Sequence, residues 1–441
     1  MAKRRRSMSE QYLAGIVERA STLDERLGGD FVSAEGEDTG LVDARLEAWS
    51  WALGKGDQDR FRRRLAWDGL DTERVRPALG PVRLREGAAL PEWSGLLAEA
   101  LRLAPPERQE DTDGAWPAQM AFLEADDPLP FEEVLAPFVL VARERLAKRT
   151  AAFGGMLSEA ARAALERDLL RSLSPLSAKL LLTEFETMRA QEQSSWDRLF
   201  SLAREPEGRS LYRQFVRRLA EGGLVRLFLQ YPVLARLLGK ISHLWVEASA
   251  EFLGRLEADI PELERVFGDD GEELGNVVEL KPSLSDPHRG TRSVVALTFA
   301  SGRKLVYKPK DMGTEAAYHR LLAWLNGRGA PLPFKVLEVL DRSTHGWVEF
   351  VEHLPCRDHD EARRYYERAG MLLCLIYVLE GTDCHHENII ASGEYPVLID
   401  AETLMHHRAR AVVPEDENAQ TEAFGRLGHS VLRTGLLPAG S

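Results

Sequence analysis

The chain has 441 residues, 44% of them hydrophobic and 29% charged, with a formal net charge of -13. That is the composition of a globular protein too long for one ordinary core, so two or three domains are expected, and the acidic balance argues against general affinity for nucleic acid or anionic lipid. The basic start Lys3-Arg4-Arg5-Arg6 has no apolar run behind it and is not a secretory signal, and the best apolar stretch, Met371 to Leu379, is too short to span a bilayer. Three cysteines, Cys356, Cys374 and Cys384, build no disulfide framework and fit a reducing compartment, so a cytoplasmic location is expected.

From the N-terminus to residue 265 the pattern is mostly helical. Ser174-Pro175 reads as a cap followed by a first-turn proline, opening a helix with Leu176, Leu180, Leu181 and Phe185. Leu234, Leu237, Leu238, Ile241, Leu244, Ala248, Phe252 and Leu256 follow three-and-four spacing and give one apolar helical face. Residues 102–117 read as a loop, and Glu205-Pro206-Glu207-Gly208 as a second break.

Near residue 265 the texture changes. An acidic loop at 269–273 is followed by β-branched, alternating segments. Val294 to Phe299 and Lys304 to Lys308, joined by Ala300-Ser301-Gly302-Arg303, predict a hairpin. Val336 to Leu340 and Trp347 to Val351 predict a second strand pair. A long helix is expected over 361–379, then a polar loop at 381–388 and short strands at 389–390 and 397–399. The order of strand-rich lobe, helix, loop and strand pair is that of a kinase-like fold.

The chemistry concentrates in Thr382-Asp383-Cys384-His385-His386-Glu387-Asn388 and Ile399-Asp400-Ala401-Glu402. Asp383 is suited to orient or deprotonate an attacking hydroxyl, and Asn388 and Asp400 are hard oxygen donors suited to Mg2+ on nucleotide phosphates. Glu402, two residues past Asp400, would share its side of an extended strand, though an ordinary exposed glutamate reads equally well. Lys308, alone, reads as a solvated edge lysine; with Asp383, Asn388 and Asp400 downstream it becomes a candidate phosphate contact. Asp286 and His288, in Ser285-Asp286-Pro287-His288-Arg289-Gly290, can move protons, while the Asp-Pro and Gly residues by themselves indicate a turn. Glu349 to Val351 lies where a lobe connection would bond an adenine through its backbone. No Cys-x-x-Cys or His-Glu-x-x-His motif accompanies Cys384, His385, His386, His406 and His407, so a zinc centre is not expected, and His386 and His407 read as surface residues or as supports behind the site's own groups.

Val294 to Phe299, Leu305-Val306-Tyr307-Lys308-Pro309-Lys310-Asp311, Gly346 to Phe350, Gly381 to Ile390 and Tyr395 to Thr403 resemble, in that order, the dehydratase domain of class II (LanM-type) lanthipeptide synthetases. The resemblance covers residues 280 to 438. It implies an α+β protein with a helical N-terminal region over 1–265, a lipid-kinase-like core over 266–410 and the start of an activation-loop-like segment over 411–441. The C-lobe of such a two-lobed fold would be incomplete and the zinc cyclase separate or missing. It further implies ATP and Mg2+ as cofactors and a precursor peptide, bound through its leader, as partner. Lys308 would then contact the nucleotide, Asp383 would act as base, Asn388 and Asp400 would hold metal, and His385 and Glu402 would shape the site. Asp286 and His288 would serve phosphate elimination. Two other readings share these motifs: a small-molecule kinase of the aminoglycoside phosphotransferase type, which also uses Asp-x-His-x-x-Asn and a later Asp-x-Glu, and a leader-binding pseudoenzyme.

Overall fold

The computed structural model describes residues 8–34, 39–103, 105, 118–151, 155–192, 206–268, 273–406, 422, 426 and 428–437. Most of the expected loop at 102–117, most of the acidic loop at 269–273, His407 and most of 411–441 lie outside these residues. The chain is α+β, as the sequence indicates. It divides into two compact units, Met1–Gly154 with Leu165–Leu253 and Arg289–Thr291, and Gly155–Ala164 with Gly254–His288 and Arg292–Ser441.

The first unit is dominated by helices: α1 (Met8–Ala20), α2 (Leu23–Leu27), α3 (Thr39–Gly54), α4 (Gln58–Trp67), α5 (Thr72–Leu79), α6 (Glu92–Ala100), α7 (Glu132–Arg149), most of α8 (Glu159–Glu192), α9 (Pro206–Arg218), α10 (Leu224–Gln230) and the first part of α11 (Pro232–Phe267). Local caps start several of them. The Asp57 carboxylate accepts from the backbone of Asp59 and Arg60, and Thr22 and Glu25 form a reciprocal capping box. Two short strands, β1 (Phe31–Ser33) and β2 (Val82–Leu84), pair antiparallel within a region whose pattern reads as mostly helical.

Two local expectations are corrected. Helix α8 does not open at Ser174-Pro175 but runs through it. Ser174 donates its hydroxyl to the Pro130 carbonyl at 3.0 Å instead of capping. Buried Leu169, Leu170, Leu173 and Leu181 carry the helix across the proline, so packing outweighs the missing N–H. Pro206 is likewise the first residue of α9 rather than part of a loop, a position where proline loses nothing.

The second unit is built on a five-stranded sheet in the order β3-β4-β5-β7-β6, from Val277–Lys281, Val295–Phe299, Lys304–Lys308, Gly346–Glu349 and Val339–Asp341, all neighbours antiparallel. Both expected hairpins are present, the second shorter than its sequence suggests. Helix α12 (Gly313–Gly327) connects β5 to β6. Helix α13 (His359–Val378), capped by Asp358, precedes the hairpin of β8 (Ile389–Ser392) and β9 (Tyr395–Leu398). Among the described residues no helix is long and apolar enough to cross a membrane.

Strand alternation gives the sheet two chemically distinct faces. Tyr307 stands opposite Trp347 on one face, and Val306 opposite Val348 on the other. On the Tyr307 face, the last turns of α11 are fastened by a buried carboxylate. Asp259 accepts from Trp347 Nε1 and Arg342 Nε, each at 2.8 Å, and lies 2.8 Å from His345 Nε2. Arg255 donates to the Tyr307 hydroxyl at 2.7 Å. The Val306 face packs Met312, Leu337, Val348 and Val351 against Val397 of β9. Gly346 is required there, because a Cβ would lie 2.4 Å from Met312 Cγ and 2.7 Å from the Leu340 carbonyl oxygen.

Burial pushes the Asp259 carboxyl upward, but its bonds to Trp347, His345 and Arg342 outweigh burial and hold it below the usual range. Asp259→Ala is therefore expected to cost about 3–5 kcal/mol in urea unfolding, since donors of a buried charged network lose their acceptor. For a carboxylate depressed in the folded state, stabilisation is complete above the unfolded value of about 3.9 and is lost as pH falls through the lower folded value. The stability gap between wild type and Asp259→Ala should be constant above about pH 5 and narrow below about pH 4; a gap that widens on acidification would contradict this account.

Candidate active site

Lys308 ends β5 on the same face as Val306, next to Pro309. Its side chain is 8% exposed. A buried ammonium needs partners, and Lys308 has two kinds. Nζ donates to both carboxylate oxygens of Glu315 at 2.7 and 2.9 Å, and to the backbone carbonyl of Ile399. Glu315 sits in the first turn of α12, where a carboxylate also complements the helix dipole. Burial raises the Glu315 carboxyl above its ordinary value, against the pull of Lys308. One turn on, His319 is held neutral: burial, helped by Lys308, lowers its pKa to about 4. Its Nδ1 accepts from the Leu337 amide at 3.2 Å, which puts the ring proton on Nε2.

Lys310, two residues past Lys308, bridges the downstream acids. Its Nζ lies 2.9 and 3.1 Å from the Asp400 oxygens and 2.7 Å from Glu402 Oε2. Burial disfavours this charge, but Glu402 and Asp400 overcome it and raise the ammonium's pKa. Asp400 and Glu402 meet, but not by alternation along a strand. β9 ends at Leu398, and the Glu402 amide donates to Asp400 Oδ1 at 3.1 Å across a turn.

After α13 the chain makes a tight loop. The Gly381 amide donates to the Ile376 carbonyl at 2.8 Å, and a Cβ at Gly381 would lie 2.7 Å from both Ile376 and Leu404. Asp383 has φ 59°, in the left-handed region, and its side chain is 63% exposed. His385 Nε2 lies 3.2 Å from Asp383 Oδ1, and His385 Nδ1 accepts from the Glu387 amide at 3.3 Å. Asn388 donates its side-chain N–H to the Asp383 carbonyl at 2.8 Å, and its own carbonyl accepts from Ile399 at 2.9 Å. Cys384 faces the core with Leu372, Ile376 and Leu404, and burial pushes its thiol up to about 11, which makes it an inert filler.

Lys308 and Asp400 are thus joined through Ile399, Asn388 through the Ile399 amide, and Asp383 and His385 through Asn388. Glu402 joins through Lys310. Asp286 and His288 are exposed on the β3–β4 connection, where His288 and Arg292 exchange backbone bonds, and neither side chain hydrogen-bonds to this group. Lys310 and Glu315 were missed by sequence reasoning. The signal for Glu315 was present in Tyr318, Leu322 and Leu325, whose three-and-four spacing follows Gly313. Lys310 lies in a bend two residues past the end of β5, where strand alternation gives no signal. Among the described residues no group of three or more His, Cys, Asp or Glu side chains is placed to hold a metal ion. A polar cavity of about 460 Å³ lined by Arg303, Lys304, Glu349, Phe350 and Glu352 lies at the other end of β5; it takes in Glu349 and Phe350 of the connection expected to bond an adenine, but neither Lys308 nor the Asp383–Glu402 residues.

Removing one member of the Lys308–Glu315 pair strands the other. Lys308→Met should lower unfolding free energy by about 3–5 kcal/mol, and adding Glu315→Leu should recover much of that loss. Strictly additive losses in a urea double-mutant cycle would show that the two side chains do not depend on one another.

Two comparisons with known proteins bear on this half of the chain. Residues 231–440 match the family model described as a domain of unknown function, DUF4135. The chain is 34% identical over 161 residues to the lacticin 481/lactococcin biosynthesis protein LcnDR2 of Lactococcus lactis subsp. lactis. That alignment takes 35% of this chain and 17% of the relative, so the chain spans a minor part of the protein it matches. The resemblance to class II lanthipeptide synthetases, read first from the motifs, is borne out by both matches.

Proposed function

We propose that this chain carries the phosphorylating part of a lanthipeptide dehydratase, using ATP and Mg2+ to phosphorylate Ser and Thr of a leader-bearing precursor peptide before phosphate is eliminated. The observation that carries this reading is the Lys308–Glu315 pair set one carbonyl away from Asp400. In protein kinases a lysine on the third strand pairs with a glutamate of the next helix, and a later Asp and the catalytic-loop Asn hold the metal. Lys308 lies on the third strand of its sheet and Glu315 on the helix that follows. A lipid-kinase-like, two-lobed arrangement of residues 266–410 is the fold this implies. The name of the relative, a lacticin biosynthesis protein, points to the same class of peptide substrate. A cytoplasmic setting, where ATP is available, suits the reading.

The residues present fit both cofactors. Asn388 spends its amide N–H on the Asp383 carbonyl, its amide oxygen would serve as a ligand, and Asp400 would add a carboxylate. One or two such oxygens suffice for Mg2+, which completes its shell with phosphate and water. Lys308 and Lys310 supply positive charge for phosphates. Half-buried Val306, Ile390 and Ile399 on the apolar cluster offer a surface for an adenine ring beside Phe350 and Val351. Bound ATP supplies the phosphoryl group, and bound Mg2+ shields its charge.

The chain's own residues do the rest. Asp383 accepts the proton of the substrate hydroxyl as the oxygen attacks, and His385, 3.2 Å away, steadies its carboxylate. Glu402 and Asp400 fix Lys310 at the mouth of the site. A Ser or Thr hydroxyl leaves poorly and its phosphate ester leaves well, so removal of the α-proton then completes dehydration. Asp286 and His288, on the β3–β4 connection, are the proposed groups for that second step.

Asp383→Asn should abolish phosphate transfer to a candidate precursor, followed by mass spectrometry, while leaving ATP affinity within about twofold, because an amide accepts no proton. An unchanged rate would remove Asp383 from this role. In any form of the enzyme that completes dehydration, Asp286→Asn and His288→Asn should accumulate phosphopeptide; full dehydration without it would exclude them from elimination.

A further inference from the structure

The Asp383–Cys384 peptide group is pinned on both sides. Its carbonyl accepts from Asn388 Nδ2 at 2.8 Å, and its N–H donates to the Thr434 carbonyl at 2.8 Å. Asp383 itself stands at φ 59°, a conformation that costs a side-chain-bearing residue energy and persists only when its surroundings over-determine it. The second pin comes from a segment 50 residues downstream. We infer that residues 430–436 form a strut that holds Asp383 in its left-handed conformation, and that Thr434 and Gly435 are positioning residues for phosphate transfer.

The strut is built for rigidity. Ser430 caps a short turn over Val431–Thr434 by accepting from the Leu432 amide at 3.2 Å. Thr434 is fully buried. Its hydroxyl donates to the Val431 carbonyl at 2.7 Å and accepts from the Leu436 amide at 3.2 Å, closing the turn on itself. Arg433 donates to the Tyr377 carbonyl at 2.6 Å and stacks 4.7 Å above the Tyr377 ring, and Tyr377 donates its hydroxyl to the His429 carbonyl at 3.0 Å. Leu436 packs on the cluster of Ile376, Cys384 and Leu404. Gly435, at φ 76°, lets the backbones close up: a Cβ there would lie 3.3 Å from the Cys384 nitrogen and 3.5 Å from that of His385. The segment therefore grips the end of α13 and the loop it launches, and the bond from Thr434 lands on the amide next to Asp383.

The catalytic consequence rests on the proposed role of Asp383; the strut itself does not. The test is hydrogen exchange at the Cys384 amide together with steady-state phosphate transfer. Thr434→Val keeps shape but loses the hydroxyl's two bonds, and Gly435→Ala crowds the contact. Both should speed Cys384 exchange by about tenfold or more, with exchange in α13 unchanged. Both should lower kcat by about a hundredfold, with the KM for ATP within about twofold. Thr434→Ser, and Leu432→Ala at a side chain 51% exposed, should match wild type in both readouts. Unchanged Cys384 exchange in the first two variants overturns the strut. Faster exchange with undiminished kcat overturns its positioning role. A wild-type chain that transfers no phosphate to any peptide counts against the proposed function instead, and the exchange measurement still decides whether the strut exists.

Discussion

One buried ammonium organises the second unit. Lys308 is nearly excluded from water, and a cation in that position is tolerable only when opposite charge and hydrogen-bond acceptors surround it. Its partners lie on two other pieces of chain: Glu315 at the start of α12 and the carbonyl of Ile399 just past β9. Satisfying Lys308 therefore fixes where the helix docks on the sheet and where the Asp400 segment passes. Lys310, two residues later in the chain, then meets Asp400 and Glu402 with little freedom left to choose.

The charges around Lys308 are graded by depth. Glu315 is deepest and burial lifts its carboxyl; His319 beside it stays neutral, which spares Lys308 a second cation. Asp400 and Lys310 are each about 30% exposed on the side chain, while Asp383 and Glu402 are mostly in water. The Lys308–Glu315 pair that holds the fold is dry, and Asp383, proposed to meet the substrate hydroxyl, is wet. Coulomb interactions weaken outward as effective dielectric rises, so the outer charges can change partners at small cost where the inner pair cannot.

Much of the second unit was legible in the chain. The β4–β5 hairpin, helix α13 and the β8–β9 hairpin follow from local alternation, an Asp358 cap and turn residues, which act over a few neighbours. Legibility failed where distant packing overrode local preference. Pro175 signals a helix start, yet buried leucines on both sides keep α8 continuous. β1 and β2 are three residues each, too short for a period to register. Glu402 reaches Asp400 by a turn, although two-residue spacing suggested a strand.

The order of motifs by itself determined which residues carry charge and hydrogen-bonding capacity: Lys308, Asp383, Asn388, Asp400 and Glu402 are polar groups set at the ends of short apolar segments. What only the tertiary structure decided is who answers whom. Glu315, Lys310 and the Thr434 carbonyl take their roles from partners between seven and 92 residues away in sequence, which no local pattern names. Side-chain chemistry is local to the residue. The burial that makes a charge demand a partner arises only when separate segments close over it.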